Sequence, residues 1–307
     1  MNNNSYIWIM VIAAVFFWGS NFNAIAALDT NLPAIVSSII RFAIASVIFL
    51  FAIFIYRGSN KNLDLREIGY LVLLGFLGVF CFNYAIFAGM KLTTPINGAL
   101  IMANMPLISV IFSKLFLNIK VTLNQYIGLI LGVTGVFLVI TQGNITTLSY
   151  SLGDIWIIVA CFCGGLYAVL TKKLVAHIPP VQVTYWTILS GTVFMSVSYF
   201  TFLSDGFSYG DYLAISGLSW SLLAYMGIAG TVMAYYFWTK GCQVLGPEKT
   251  SITTNLIPIF TLCISFIMGK SITMIQIVGM IIIICGVLLV TNSAKNLSIL
   301  FGRKQRT

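Results

Sequence analysis

One arginine stands alone in a long uncharged stretch of this chain. Arg41 follows Pro33 by eight residues, about 12 Å along a helix at 1.5 Å per residue. A guanidinium in an apolar segment is costly, so its default reading is functional. Its planar fork suits two parallel hydrogen bonds to a carboxylate or phosphate. The structural alternative is an arginine that snorkels outward or binds backbone carbonyls at a helix break. The residues alone leave both uses open.

Uncharged polar and aromatic residues gather in a few of the apolar segments. Asn97, Ile101, Asn104 and Ile108 follow helical spacing, so the two asparagines are expected on one face. Asn83 and Phe87 are one turn apart, with Tyr84 beside them, and Tyr235, Tyr236, Trp238 and Thr239 form a similar group later in the chain. Thr250, Ser251, Thr253, Thr254 and Asn255 lead up to Pro258, while Trp18, Asn21 and Tyr167 lie deep in other apolar segments. Asparagine in lipid is costly unless it bonds another helix or lines a wet cavity. The clustering points to a cavity that takes a substrate, lined by Trp18, Asn21, Arg41, Asn83, Tyr84, Asn97, Asn104, Tyr167, Tyr235, Trp238, Thr254 and Asn255.

Absences narrow the chemistry. No aspartate or glutamate lies deep in an apolar segment, which disfavours a cationic substrate and a carboxylate proton relay. Asp29 and Asp154 fall at segment ends where water is expected to reach them, and His177 reads as a loop residue beside Pro179 and Pro180. The six cysteines all fall inside apolar segments and read as small hydrophobes, with neither disulfide nor metal expected. No cofactor is implied, and no nucleophile, acid–base pair or metal set suggests a membrane-embedded enzyme.

The elements that carry these residues are membrane spans. Of 307 residues 59% are hydrophobic and 7% charged, against roughly a quarter charged in soluble domains. Ten segments approach the roughly 20 apolar residues that a helical span needs: 6–27, 33–56, 67–89, 95–117, 122–141, 153–171, 178–203, 218–239, 249–268 and 272–292. Lipid admits a single chain of this kind only as helices. The N-terminus lacks a basic start and cleavage site, so the first segment is expected to be retained. With ten spans both termini share a side, and 13 basic residues fall on it against two, Lys91 and Lys270, on the other. That bias puts both termini in the cytoplasm. The net charge of +9 is scattered over loops that face anionic lipid, which does not suggest nucleic acid.

The second half of the chain repeats the first. A shift of 152 residues brings Gly75, Gly78, Tyr84, Gly89, Pro95, Pro106 and Ser113 onto Gly227, Gly230, Tyr236, Gly241, Pro247, Pro258 and Ser265. After a one-residue gap Gln125, Gly128, Gly135 and Val136 meet Gln276, Gly279, Gly286 and Val287. Five spans per repeat end on the opposite face from their start, so the repeats must be inverted. Residues 1–147 form the first, 148–295 the second, and 296–307 a basic tail. Inverted repeats are a transporter architecture with the substrate site near the midplane. The glycines of the fifth and tenth segments suit close packing, which makes those two spans scaffold.

The run Trp18-Gly19-Ser20-Asn21-Phe22, Pro33 with Arg41-Phe42, and a Gln-x-x-Gly closing each half complete a pattern. It resembles the EamA family of the drug/metabolite transporter superfamily over nearly the whole chain. In place of the glutamate that such relatives often carry six residues before the Gln, this chain has Ile119 and Lys270. Four-helix relatives that export cationic drugs carry a glutamate in their first span, and this chain has none there. The resemblance implies an exporter in the cytoplasmic membrane, a direction the residues themselves do not encode. The expected substrates are small neutral or zwitterionic metabolites, amino acids or related carboxylates foremost, moved by alternating access. An importer or exchanger of a nucleobase or cofactor-like metabolite is the alternative. Beyond substrate and lipid, the protein is expected as a monomer or weak homodimer.

Overall fold

The computed structural model describes residues 3–29, 32–55, 61–90, 92–93, 98, 101–144, 146, 151–203, 209–269 and 271–301. Among them there is no strand. Helix α1 runs Asn3–Ala26 and α2 Ala34–Ile55. Helix α3 is a composite of Leu65–Gly75, a π-helical turn Phe76–Cys81, and Phe82–Met90. Then come α4 (Met105–Leu117), α5 (Leu123–Thr141), α6 (Leu152–Val175) and α7 (Pro180–Ser198), the last continued by a π turn Tyr199–Leu203. Helix α8 joins Gly217–Gly227, a π turn Ile228–Met233 and Ala234–Val244. Helix α9 joins Pro247–Ile252, a 3-10 turn Thr253–Leu256 and Ile257–Ile267, and α10 is Met274–Phe301. Seven of these segments are long and apolar enough to cross a membrane, and α4 and Met274–Val290 of α10 are shorter apolar helices. Apolar side chains such as Phe51, Ile130, Phe200 and Ile281 stay exposed around the perimeter, as lipid-facing residues do.

Local chemistry sets the helix ends. Thr122 and Gln125 form a reciprocal capping box at the start of α5. Thr273 and Gln276 repeat it before α10, at 2.9 and 3.4 Å. Each box satisfies two backbone donors that a helix start leaves open, so the repeated glutamine is a helix-starting residue. A Cβ on Gly128 would lie 2.6 Å from the Gly286 carbonyl, and one on Gly286 would lie 2.6 Å from that of Gly128. Gly135 and Gly279 meet the same way, at 2.7 and 2.8 Å. Because Gly128 corresponds to Gly279 and Gly135 to Gly286, the contact is self-complementary, as a twofold axis requires.

The irregular turns obey the same shift. Phe76–Cys81 lies on Ile228–Met233 at 152 residues, and the turn at Ala103–Asn104 lies within the span equivalent to Thr253–Leu256. The halves also interlock: α1 packs on α8 and α9, α6 on α3 and α4, α2 on α7, and α5 on α10.

The α5–α10 seam gives a direct test. Gly128→Ala puts a methyl against backbone that cannot rotate away, an overpacking expected to cost about 1–3 kcal/mol. Gly69, which has nothing within 4 Å of its missing Cβ, should tolerate alanine with a gain of about 0.5–1 kcal/mol. Thermal unfolding of the two purified variants compares them. Equal melting temperatures would mean that the glycine seam does not hold the repeats together.

Candidate functional site

Five helices bring one cluster together at mid-length. From α1, the Trp18 indole donates to the Gly230 carbonyl at 3.1 Å, inside the π turn of α8. Trp18 stands edge-on to Tyr235, with centroids 5.9 Å apart, and 5.0 Å from Trp238. Phe42 of α2 meets Tyr235 edge-on at 5.9 Å, and the Arg41 guanidinium carbon lies 4.6 Å from the Phe42 ring centre. An Arg41 Nη2–H donates to Asn83 Oδ1 at 3.5 Å, and the Asn83 amide nitrogen donates to the Val79 carbonyl at 2.6 Å. Arg41 and Asn83 both lie within electrostatic reach of the Tyr235 hydroxyl. Tyr167 of α6 closes the far side, its hydroxyl 3.4 Å from Thr239.

Arg41 is under-served. Its Nε is buried without a partner, and among the described residues the ion pairs join only Lys61 and His177 to Glu67. A buried charge in that position is expensive unless something completes it. The scaffold around it is symmetric, but the charge is not. Asn83 and Tyr235 correspond across the repeat. So do Asn21 and Tyr167, each filling the notch of the other repeat's π-turn glycine: a Cβ on Gly230 would lie 2.2 Å from Asn21 Nδ2, and one on Gly78 would lie 2.3 Å from the Tyr167 ring. A Cβ on Gly75 would lie 2.5 Å from the Thr187 carbonyl, and one on Gly227 would lie 3.2 Å from that of Arg41. That register pairs Arg41 with Thr187, which is fully buried. The cation exists once, near a near-twofold centre.

The other expected residues lie elsewhere. Tyr84 meets Phe80 at 5.8 Å and stands edge-on to Trp156 at 5.9 Å. Asn104 does not continue a helical face with Ile101 and Ile108. The helix breaks at Ala103–Asn104 ahead of Pro106, as a proline demands of its preceding turn. Asn104 faces an outer groove of about 200 Å³ with Leu107, Leu129, Ile130, Val133 and Thr134. Thr254 bonds its own helix, donating to the Ser251 carbonyl at 2.6 Å. Asn255 packs on Gly132 of α5, and both of its amide atoms are buried without partners. Asn97 lies outside the described residues.

Three polar ties escaped the sequence reading. Asn23, two residues past Asn21, accepts from Ser265 at 2.7 Å and donates to the Thr261 carbonyl at 3.1 Å, fixing α1 to α9. His177 is no loop bystander: its Nε2 lies 2.6 Å from Glu67 Oε1, and Lys61 completes the group at the basic end of the helices. At the opposite end Asp29 accepts from the Ser216 amide at 2.9 Å and its hydroxyl at 3.0 Å, and the Ser219 hydroxyl accepts from the Asp29 amide at 3.0 Å. Ser219 corresponds to Glu67 across the repeat. The two latches are therefore equivalents at opposite ends, one joining α1 to α8 and the other α6 to α3. Nor is every carboxylate water-exposed. Glu248, two residues past Gly246, sits in the first turn of α9 and is 8% exposed.

The Ser216 bonds, backbone first, hold the Asp29 carboxyl below its ordinary value of 3.8. A depressed value means that the latch stabilises the fold above that pH and loses its contribution as pH falls through the lowered value. Asp29→Asn should accordingly melt lower than wild type at pH 7. The gap should narrow below about pH 4. A gap independent of pH in melting curves would show that the carboxylate is not what closes this latch.

This arrangement fits the comparisons with known proteins. The EamA-like transporter family matches the chain twice, over residues 5–141 and 151–292. The chain belongs to the EamA-like transporter family. An uncharacterized transporter of Bacillus subtilis (strain 168), YyaM, is 34% identical over 290 residues, covering 92% of each chain. A second from the same organism, YetK, is 25% identical over 284 residues, covering 91% of this chain and 85% of its own. A crystal structure at 16% identity shares the fold, with a TM-score of 0.80 over 95% of this chain and 99% of that one. The EamA-like chain is thus a multi-pass membrane transporter, and the duplicated match coincides with the repeat read from its glycines and prolines.

Proposed function

We propose that this transporter exports small carboxylate-bearing metabolites, amino acids foremost, across the cytoplasmic membrane by alternating access. In this reading all ten helical segments cross the bilayer, with both termini cytoplasmic as the basic residues favour. The observation that carries it is Arg41: one incompletely bonded guanidinium beside the pseudo-equivalent Asn83 and Tyr235, walled by Trp18 and Phe42. A carboxylate can complete the guanidinium fork, and the aromatic walls suit an apolar body. The two latches at opposite ends of the helices supply the element that alternating access needs, since each joins the first helix of one repeat to the third helix of the other.

The test is counterflow in proteoliposomes. Vesicles loaded with pooled unlabelled amino acids and other small carboxylates should accumulate the matching labelled compound from outside, and empty vesicles should not. Exchange of nucleobases with no exchange of any carboxylate would replace this reading with the alternative.

A further inference from the structure

Glu248 is a carboxylate that the site around Arg41 does not use. Its side chain folds back over Gly246, where φ is +97° and a Cβ would lie 2.6 Å from either carboxylate oxygen. Its Oε2 is buried and has no partner. The charged and titratable groups around it are Lys172 of α6, Cys242 of α8 and its own neighbour Lys249. Lys172 does not pair with it, because its ammonium donates to the Gln243 carbonyl. Helix α4 also packs on this turn. It brings Ser109 and Ser113, whose hydroxyls are buried and unpartnered, and Lys114, which opens onto a surface groove with Asn118 and Lys120.

Helix α9 continues the pattern. Ser251 Oγ and both amide atoms of Asn255 are also buried without partners, one and two turns beyond Glu248. Buried polar groups are nearly always hydrogen-bonded, and exceptions ask for a reason such as an intermittent water. A buried carboxylate without donors on one oxygen is far costlier as an anion than as a neutral acid. The column therefore runs from a carboxyl at the basic end to the 3-10 turn at the middle of α9.

We propose that Glu248 is a proton-binding site, protonated while the basic end is closed and emptied when that end opens. The proposal rests on the alternating-access reading. In the step, the carboxyl O–H bond breaks, its electron pair stays on the carboxylate, and the proton passes to a water that enters beside α4 and α6. Transport would then be coupled to protons through a residue at the start of α9, where the sequence offered no deep carboxylate.

The chain has two glutamates, Glu67 and Glu248, and Glu67 is held in an ion pair with Lys61. Infrared titration of the full-length protein, labelled with 13C-glutamate and reconstituted in lipid, therefore reads Glu248 without mutation. A labelled carboxylic-acid band at pH 7 that vanishes in Glu248→Gln is expected. Only ionised labelled carboxylate at that pH would overturn the proposal. His177→Ala, which loosens the closed end, should lower the midpoint of that band by about one pH unit, a tenfold change in proton affinity. An unmoved midpoint would make Glu248 a static structural acid and overturn the proposal as well. Neither readout depends on which metabolite moves, so failure here is separable from failure of the carboxylate reading.

Discussion

Arg41→Lys should lower transport about 10–100-fold while the protein still inserts, purifies and melts as wild type. Hydrogen bonds to charged groups contribute about 1.5–3 kcal/mol, and each 1.4 kcal/mol is tenfold in affinity. Lysine keeps the charge but loses the planar fork. It also cannot hold both Asn83 Oδ1, 3.5 Å from one terminal nitrogen, and a second acceptor in the same plane. Arg41→Gln should lose more, because the charge goes too. The measurement is initial counterflow of whichever labelled carboxylate the wild type exchanges, with melting temperature as the folding control. A lysine variant that transports normally would show that the guanidinium geometry is not used. A variant that unfolds, while its residual folded fraction transports normally, would make Arg41 structural.

Much of the fold was legible because the signals are periodic or covalent. The 152-residue shift of glycines and prolines is reproduced by the π turns at Phe76–Cys81 and Ile228–Met233. The repeated glutamines turned out to start helices, and the repeated glycines to pack them. What was not legible depends on turns whose hydrogen-bond pattern a sequence does not announce. A π turn takes in an extra residue, and each residue is about 100° of rotation. The face that Tyr84 presents after Phe76–Cys81 therefore differs from that of an unbroken helix. The break ahead of Pro106 does the same to Asn104. Glu248 falls between two apolar segments of the sequence, and its burial comes from α4 and α6, distant in the chain, as well as from the preceding α8. Glu67 and His177 are 110 residues apart, and no local pattern joins them.

The twofold scaffold makes a last, asymmetric prediction: Gly78→Ala should harm the protein far more than Gly230→Ala. Both glycines sit inside π turns at equivalent positions, and both lack room for a methyl. At Gly78 the obstacle is the ring of Tyr167, 2.3 Å from the new Cβ. That ring is 4% exposed and tied to Thr239 at 3.4 Å, so it has nowhere to turn. At Gly230 the obstacle is the end of Asn21, 2.2 Å away. Its Oδ1 has no partner, so the amide can rotate at the cost of a rotamer change, on the order of 0.5–1.5 kcal/mol. Overpacking against a fixed ring costs about 1–3 kcal/mol and also displaces the Tyr167 hydroxyl from the cluster, so Gly78→Ala should lose both melting temperature and transport. Tyr167→Ala alone opens a cavity that costs about 3–5 kcal/mol, but in that background the clash is gone, so Gly78→Ala should lower the melting temperature much less than it does in wild type. If Gly78→Ala costs as much in the Tyr167→Ala background as in wild type, the clash is not with Tyr167. Equal damage from the two single variants would mean that the near-symmetry extends to function, and that Asn21 is held as firmly as the tyrosine.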